Sequence, residues 1–458
     1  MASNSIPLQN LRSLQVMETG PSNPFNDNHQ PDSFVVGDSS DSGSEANGSI
    51  YDDASSTISR TSTAEYDQEC FTTFQHKATQ LILEILPGHS ASDVHIERMK
   101  GGAFNRITGI TLSSPKPTRS VIGKLRSMLC GPPRGKPKAG KLKHYILRIP
   151  RDPTHDVLHQ VTTLLYLQKK LAYPTPKVVQ CDSTTNNALG LPYMLQERLP
   201  GQTLTHLWPN LNQDQRKSAA RCIAEVVKDI SKLTSKTPGI LSARNTSYDL
   251  KQNLLRVVPH PIPSTATDLN AKLAHPQSTR ELLLELCQRQ RVATQELGLA
   301  NQDHIWDSFA RIVDDMHSLG LIPDKDAFHL YHADLYSRNL LFAIQSPTTV
   351  RLTGILDWDS ASFAPRFMST RAPFFLWSDD DADENEEGDA VVEPEDTGKA
   401  ELKRVFEDVV GKSFCQESYR PEYVLARRMW YFLVNGLRSG GDMFLAEEVR
   451  EGWVDMYP

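Results

Sequence analysis

Long apolar runs, paired cysteine motifs and an apolar leader are all missing from this sequence of 458 residues. No run of eighteen apolar residues exists, so no segment is predicted to span a membrane. The first residues, MASNSIPLQNLRSLQ, lack the apolar core of a secretory signal, which predicts an intracellular, cytoplasmic protein. The six cysteines are scattered without a C-x-x-C pair, so we expect free thiols in a reducing compartment.

Charge is unevenly distributed along the chain, whose formal net charge is -7. Residues 1–66 carry nine acids and two bases, and residues 379–396 carry eleven acids and no base. Residues 113–144 carry nine bases and no acid. The rest of the chain is close to neutral, so we place most of the charge in a tail and two insertions.

Both acidic segments have the composition of solvated chain. Residues 1–66 are rich in Ser, Asp, Asn, Gly and Thr and have few apolar groups to bury, which predicts a disordered tail. Residues 379–396 are predicted to form a disordered surface insertion. The alternative is an electrostatic guide for a cationic substrate, which we disfavour because salt screens exposed charges beyond about 8 Å.

The basic segment 113–144 is predicted to be a flexible insertion between strands. It contains a near match to the P-loop pattern G-x-x-x-x-G-K-[ST], starting at Gly135, but Leu142 stands where a hydroxyl must bind magnesium. A strand, not a helix, is predicted immediately afterwards, so we reject a P-loop. We favour a solvated loop over a contact with nucleic acid or an anionic membrane.

Hydrophobic spacing predicts several amphipathic helices and short strands. A helix over residues 66–86 precedes strands at 94–99, 107–112 and 145–149. Further helices are predicted over residues 161–171, 213–233, 279–297, 304–319 and 421–436. A mixed sheet followed by helices indicates an α+β architecture.

The stretch from Phe328 to Asp359 concentrates the polar residues of chemical interest. Apolar runs at 328–331, 340–344 and 350–356 predict strands, and Ser346-Pro347 predicts the turn between the last two. Asp334 and Asn339 follow the first strand, and Asp357 follows the third. These positions hold the three side chains against a rigid framework.

The pattern H-x-D-x-x-x-x-N followed by a second aspartate suits phosphoryl transfer. Asp334 would accept a proton from a substrate hydroxyl, while Asn339 and Asp357 would bind magnesium. Mg²⁺ prefers few carboxylates together with phosphate oxygens, so this small set suffices. A polar hairpin without chemistry is the alternative, and it accounts less well for so long a match.

Three neighbouring residues have supporting roles. His332 is expected to fix the loop by hydrogen bonding, without acid–base work. Arg338 either lies near the phosphates or faces solvent. Asp359 either contacts the metal or caps the adjacent turn, and the sequence does not distinguish the two.

These motifs carry a family resemblance. HADLYSRNLL followed by GILDWDSASFAPR resembles the aminoglycoside phosphotransferase and choline kinase-like family, most of all its fungal branch, over residues 67–458. The resemblance implies a two-lobed protein-kinase-like fold. A small lobe, 67–197, would hold an antiparallel sheet plus a helix, and a larger, mostly helical lobe, 198–458, would hold the catalytic loop 332–339. It also implies ATP, Mg²⁺ and a small-molecule hydroxyl as the phosphate acceptor.

The same resemblance assigns residues that would cover the ATP phosphates. Gly101, Gly102 and Asn105 lie in a turn between strands whose amides would approach the phosphates, although an ordinary hairpin turn has the same appearance. Arg148 stands where the family usually has a phosphate-binding lysine. Gln160 stands where it usually has the glutamate partner of that lysine, and an amide cannot form the ion pair.

The resemblance also places a hinge at Gln196, Glu197 and Arg198, whose backbone groups would hydrogen-bond adenine. The alternative is an edge strand that ends at Pro200-Gly201.

An ATP-dependent phosphotransferase with an unidentified acceptor is therefore the predicted function. A catalytically weak or inactive nucleotide-binding scaffold is the alternative, because of Arg148 and Gln160. A protein kinase is disfavoured since the usual glycine-rich loop and the D-F-G and A-P-E signatures are missing. The sequence specifies no oligomeric state.

Overall fold

The computed structural model describes residues 69–99, 101, 104–113, 142–152, 157–243, 255–262, 274–378 and 387–458. The chain divides into two compact units, the first formed by residues 1–155 and 184–193 and the second by 156–183 and 194–458. The predicted tail 1–66 and most of the basic segment 113–144 lie outside the described residues, as do Gly102 and acidic residues 379–386.

The first unit combines one helix with an antiparallel sheet. Helix α1 (Phe71–Ile85) buries Phe74, Ala78, Leu81 and Ile82, which recur at helical spacing, and packs against the first strand. The strands are β1 (Val94–Arg98), β2 (Asn105–Leu112) and β3 (Lys143–Pro150). β2 pairs with both neighbours, in the registers Val94↔Leu112 and Asn105↔Pro150. The predicted small antiparallel sheet with a helix is confirmed.

The second unit is mainly helical. Its helices are α2 (Val157–Lys170), α3 (Leu204–Leu207), α4 (Gln213–Ile230), α5 (Thr279–Glu296), α6 (Asp303–Ser318), α7 (Arg366–Ser369), α8 (Thr397–Val410), α9 (Lys412–Ser418), α10 (Pro421–Asn435) and α11 (Gly440–Met456). Three long helices begin at the capping boxes Asn212/Gln215, Ser278/Glu281 and Ser439/Asp442, which satisfy amides that the helix itself leaves unpaired.

Short strands support the motif segments of this unit. They are β4 (Val178–Asp182), β5 (Tyr193–Glu197, which begins at the last residue of the first unit), β6 (Gln202–Thr203), β7 (Thr234–Ser235), β8 (Ile240–Ala243), β9 (Leu255–Val258), β10 (Phe328–Tyr331), β11 (Leu340–Ile344), β12 (Val350–Ile355) and β13 (Ser362–Ala364). β10 lies between β13 and β7, and β11 lies between β12 and β6.

One apolar core unites the second unit. It begins at Val157 and Val161 of α2, continues through α4, α6 and β10, and ends at Trp453 of α11. Helix α2 buries its apolar face in this core and therefore belongs to the second unit. The sequence, in contrast, predicts that the small lobe extends to residue 197.

The prediction of a disordered surface insertion is wrong for residues 387–396. Glu387 is buried between Arg371 and Arg427 in a short 3₁₀ turn, Glu387–Ala390. Lys403, itself buried, donates to the carbonyl oxygens of Val391 and Val392 at 2.8 and 3.0 Å. Asp396 caps α8 through the Lys399 amide at 2.8 Å. The acidic composition of this segment does not predict these contacts.

Two expectations about the whole chain can be compared with the described residues. Their five cysteines are all free. None of their helices is long and apolar enough to cross a membrane.

Candidate active site

The pairing of β11 with β12 brings the two motif segments together. Leu340 lies opposite Ile355, and the Leu356 amide donates to the Asn339 carbonyl oxygen at 2.8 Å. Asn339 closes a 3₁₀ turn, Ser337–Asn339, immediately before β11. The strand register therefore sets Asn339 beside the residue that precedes Asp357.

Asp334 is held at both carboxylate oxygens. Asn339 Nδ2 donates to Asp334 Oδ2 at 2.7 Å and to the Asp334 carbonyl oxygen at 2.9 Å. Arg338 Nη2 lies 2.5 Å from Asp334 Oδ1. Arg338 thus pairs with the aspartate while its side chain stays 47% exposed, so it faces solvent, one of the two positions predicted for it. The Asp334 side chain is still 32% exposed, so it is fixed in orientation yet reachable.

His332 links the two segments through opposite ring nitrogens. Its Nε2 lies 2.8 Å from the Leu356 carbonyl oxygen, and its Nδ1 lies 3.3 Å from the Asp334 amide. A carbonyl can only accept and an amide can only donate, so these contacts assign the neutral tautomer protonated at Nε2. Burial lowers the pKa of His332 and favours the same neutral form. The predicted loop-fixing contacts are confirmed.

Backbone strain is concentrated in the same two segments. Among the described residues, only two that are not glycine have positive φ, Ala333 at 67° and Asp357 at 59°. Such left-handed residues are rare outside glycine and cluster at functional sites, where surrounding structure holds them.

The segment after Asp357 is anchored by buried aromatic and imidazole rings. Trp358 is fully buried, donates to the Ile355 carbonyl oxygen at 3.0 Å and lies 4.3 Å from the His332 ring. His159 of α2 contacts the carbonyl oxygens of Asp359 at 2.9 Å and of Leu241 at 2.7 Å. Helix α2 is thereby connected to the segment that contains Asp357 and Asp359, a contact that the sequence analysis missed.

The residues predicted to cover phosphates lie in the first unit. A Cβ at Gly101 would come within 2.8 Å of the Asn105 carbonyl oxygen, so the turn before β2 requires glycine there. Asn105 is buried at the start of β2, and Arg148 is buried on β3 opposite Ile107. Gly101 has a structural reason to be glycine whether or not it approaches phosphate.

The predicted hinge consists of the last two residues of β5, Gln196 and Glu197, and the next residue, Arg198. Gln196 is buried, whereas Glu197 and Arg198 are exposed. The Glu197 amide donates to the Lys177 carbonyl oxygen at 2.8 Å, so this amide is already engaged within the second unit. Because of this bond, the Glu197 N–H is not available for the adenine contact that the sequence predicts for this segment.

The described part of the chain contains no group of three or more His, Cys, Asp or Glu side chains that could bind a metal ion. Asn339 and Asp357 nevertheless offer the hard oxygen atoms that Mg²⁺ accepts, with phosphate oxygens and water completing the shell. The residues present therefore fit magnesium that arrives with a nucleotide.

Residues 137–368, about half of the chain, match the model of the phosphotransferase enzyme family APH. The chain belongs to this phosphotransferase family. The matched range contains the catalytic loop, Asp357 and β3, and the family resemblance predicted from the motifs is confirmed.

Curated relatives of this phosphotransferase-family chain are fungal. A subtelomeric hrmA-associated cluster protein of Aspergillus fumigatus is 24% identical over 336 residues, which cover 62% of this chain and 61% of the relative. The chain thus spans about three fifths of that protein. Altered inheritance of mitochondria protein 9, a mitochondrial protein of Candida tropicalis, is 31% identical over 97 residues, 20% of this chain and 16% of that protein.

Solved structures of aminoglycoside phosphotransferases are also similar. APH(4)-Ia aligns with a TM-score of 0.45 at 15% identity, covering 83% of this chain and 98% of that enzyme. ADP-bound APH(2'')-Ib aligns with a TM-score of 0.46 at 11% identity, covering 84% and 99%.

The sequence analysis of this phosphotransferase-family chain missed two further residues, Tyr336 inside the loop 332–339 and Arg371 in contact with it. Arg371 Nη1 donates to Tyr336 Oη at 2.7 Å, and Tyr336 lies two residues after Asp334. Arg371 follows α7, outside the motif, and no spacing pattern connects it with the loop. The one signal in the sequence is Tyr336, an aromatic residue inside the motif whose hydroxyl needs a hydrogen-bond partner when it is buried.

Proposed function

We propose that the protein is an ATP-dependent phosphotransferase that moves the γ-phosphoryl group of magnesium-bound ATP to a hydroxyl of a small molecule. The observation that carries the proposal is the fixed Asp334 carboxylate, held by Asn339 and Arg338 in a member of a phosphotransferase family. The identity of the acceptor is open, because one catalytic loop serves many substrates.

Asp334 is the proposed catalytic base. Each of its carboxylate oxygens has a further lone pair beyond the bond to Asn339 or Arg338, so it can accept a proton from the acceptor hydroxyl. The hydroxyl oxygen forms a bond to the γ-phosphorus as its proton passes to Asp334. The bond from phosphorus to the bridging β,γ-oxygen breaks, and ADP leaves with that electron pair.

Asn339 and Asp357 are the proposed ligands of Mg²⁺. Asn339 directs its amide nitrogen to Asp334, which makes Oδ1 the atom available for a cation. A magnesium ion held by these two residues would offset the negative charge that develops during phosphoryl transfer. Asp357 lies two residues after β12, and its backbone has a left-handed φ of 59°.

Nucleotide contacts complete the proposal. The turn at Gly101 and Gly102, with Asn105, would cover the phosphates, and Arg148 would donate to them. The backbone of Gln196–Arg198, apart from the Glu197 amide, would bind adenine.

We expect Asp357→Asn to weaken magnesium-dependent ATP binding by about tenfold or more, because about 1.4 kcal/mol of lost metal coordination corresponds to a factor of ten. Isothermal calorimetry with and without Mg²⁺ measures the change. Asparagine is the preferred replacement because it tolerates the left-handed backbone at this position.

The matched control is Asp314→Asn, which removes an exposed carboxylate paired with Arg280 in the same unit. Its affinity for magnesium-ATP should equal that of the wild type. If the wild type shows no binding at millimolar ATP, the proposed function is wrong.

A non-catalytic nucleotide-binding protein is the second candidate, favoured by the guanidinium on Asp334 and by Arg148 and Gln160. A single-turnover assay with γ-labelled ATP and a pool of small-molecule alcohols distinguishes the two. The phosphotransferase proposal expects Asp334→Asn to bind ATP normally and to lose transfer. Equal ADP formation by the wild type and Asp334→Asn would support the non-catalytic candidate.

A further inference from the structure

Glu387 is a buried carboxylate shared by two arginines. Its Oε1 lies 2.8 Å from Arg371 Nε, and its Oε2 lies 2.5 Å from Arg427 Nε. Only 9% of its side chain is exposed, so its charge would be costly without these partners. Glu387 therefore acts as a fixed anchor, although it comes from a run of acids that suggests a solvated surface.

Arg427 secures this anchor to the helices of the second unit. Its Nη1 donates to the Phe367 carbonyl oxygen at 3.0 Å, and its Nη2 donates to the Ser418 carbonyl oxygen at 2.7 Å. Its side chain is 3% exposed. These bonds fix Glu387 relative to α7, α9 and α10.

Arg371 extends from the anchor to the catalytic loop. In addition to its ion pair with Glu387, Arg371 donates a hydrogen bond to Tyr336 Oη, and its guanidinium carbon lies 5.2 Å from the centroid of the Tyr336 ring. The guanidinium carbon of Arg338 lies 4.5 Å from the same centroid. A continuous series of contacts thus runs from Glu387 through Arg371, Tyr336 and Arg338 to Asp334.

We propose that Arg371, held by Glu387, is a positioning residue for Asp334. Arg338 is a long side chain, 47% exposed, and an exposed ion pair of this kind is weak by itself because its side chains lose rotamer freedom. The Tyr336 ring restricts Arg338 through a cation–π contact, and Arg371 fixes that ring through its hydroxyl. Arg338 is thereby kept on Asp334 Oδ1.

This inference rests on the proposed function for its catalytic consequence but not for its structural one. A misdirected base lowers the transfer rate, while the nucleotide contacts stay intact. Loss of Arg371 should therefore lower kcat and leave KM for ATP unchanged. The freedom of the Asp334 carboxylate should also increase without any nucleotide present.

Carboxyl footprinting tests the structural part directly. The protein without nucleotide is labelled with a carbodiimide and glycine ethyl ester, and modification of Asp334 is measured by mass spectrometry. We expect Arg371→Gln and Tyr336→Phe each to raise Asp334 labelling severalfold. Because both act on one contact, the double variant should match the stronger single variant.

Arg366→Gln is the matched control, since Arg366 lies in α7 close to Arg371 and pairs with Glu417 at 2.7 Å. It should leave Asp334 labelling at the wild-type level. Tyr336→Phe retains the ring and removes only the hydroxyl, so it reports on the contact even if Arg371→Gln does not fold. Unchanged Asp334 labelling in Tyr336→Phe, or a rise of equal size at all carboxylates, overturns the proposal.

Steady-state ATP hydrolysis, with water as acceptor, supplies the kinetic readout. We expect kcat to fall about tenfold in Tyr336→Phe and Arg371→Gln, with KM for magnesium-ATP within about twofold of the wild type. A raised KM at constant kcat would contradict positioning of the base. If the wild type fails to bind magnesium-ATP, the proposed function fails, and footprinting still decides whether Arg371 positions Asp334.

Discussion

At the residue scale, the buried histidines His332 and His260 differ in their surroundings. His332 uses one nitrogen as donor and the other as acceptor, so its neutral ring satisfies both neighbouring backbone groups. His260 packs edge-on against Trp430, with ring centroids 5.1 Å apart, and its carbonyl oxygen accepts from Arg289 at 2.7 Å. Burial first, and then the charge of Arg289, lower the pKa of His260 to about 4.

His260 should make the fold sensitive to acid. The unfolded chain binds a proton at this residue near pH 6.5, whereas the folded chain does so only near pH 4. The unfolded state therefore holds more protons between these values, and stability falls as the pH is lowered. We expect His260 to account for a loss of about 3 kcal/mol in the free energy of unfolding across this window.

Urea unfolding of the wild type and His260→Gln at pH 7 and pH 4.5 measures this loss. The variant should lose less stability between the two pH values. His95→Gln, at an exposed position on β1, serves as the control and should keep the wild-type dependence. Identical dependence in the wild type and His260→Gln would show that His260 does not contribute.

At the element scale, the two halves of the acidic run should respond differently to replacement. Exchanging residues 387–396 for a Gly-Ser linker of equal length removes the Glu387 carboxylate, the Asp396 cap and the Glu393 carboxylate, which lies 3.5 Å from Lys403 Nζ. It leaves Arg427 and Lys403 buried without these partners. We expect a loss of about 3 kcal/mol or more, since removing one partner of a buried ion pair typically costs that much.

The same exchange over residues 379–386 is the control, and we expect it to change the melting temperature by less than about 2 °C. Thermal unfolding followed by circular dichroism compares the two chimeras. Equal destabilisation by both replacements, or by neither, would contradict the division at Glu387.

Sequence patterns predicted the elements that have a clear apolar pattern. β10 and β11 were predicted to the residue, because short apolar runs between polar residues define a strand. Helices α8 and α11 were not predicted. In α8 a buried Lys403 interrupts the apolar pattern, and in α11 Gly452 lies where the Leu425 side chain of α10 packs closely. The residue types at these two positions depend on tertiary neighbours, which a single sequence does not reveal.

The candidate site follows the same division. Asp334, Asn339 and Asp357 share one contiguous motif, so their proximity could be predicted from the strand pairing. The contacts of Arg371 and Glu387 join segments that are distant along the chain. The composition of an acidic run predicts exposure to solvent. Composition alone cannot show that one acid of the run is buried between two arginines.

At the scale of the whole molecule, the described core does not require the N-terminal tail. The second unit's core runs from Val157 to Trp453, and the first unit's helix begins at Phe71. Residues 1–66 have few apolar groups to add. Deleting them should leave the melting temperature within about 2 °C of the full chain, measured by differential scanning calorimetry. A large drop would show that the tail docks on the body.

Helix α2 lies near the start of the segment that forms this core, and Trp453 lies near its end, which affects folding during translation. About three hundred residues separate the first and last members of this core, so the ribosome produces α2 long before the last member of the core. Domains fold as units during translation, and contacts of long sequence separation form late. The second unit therefore completes its core only after residue 453 has left the exit tunnel. Until then, apolar residues that await this last part of the core stay exposed, which favours aggregation of the nascent chain.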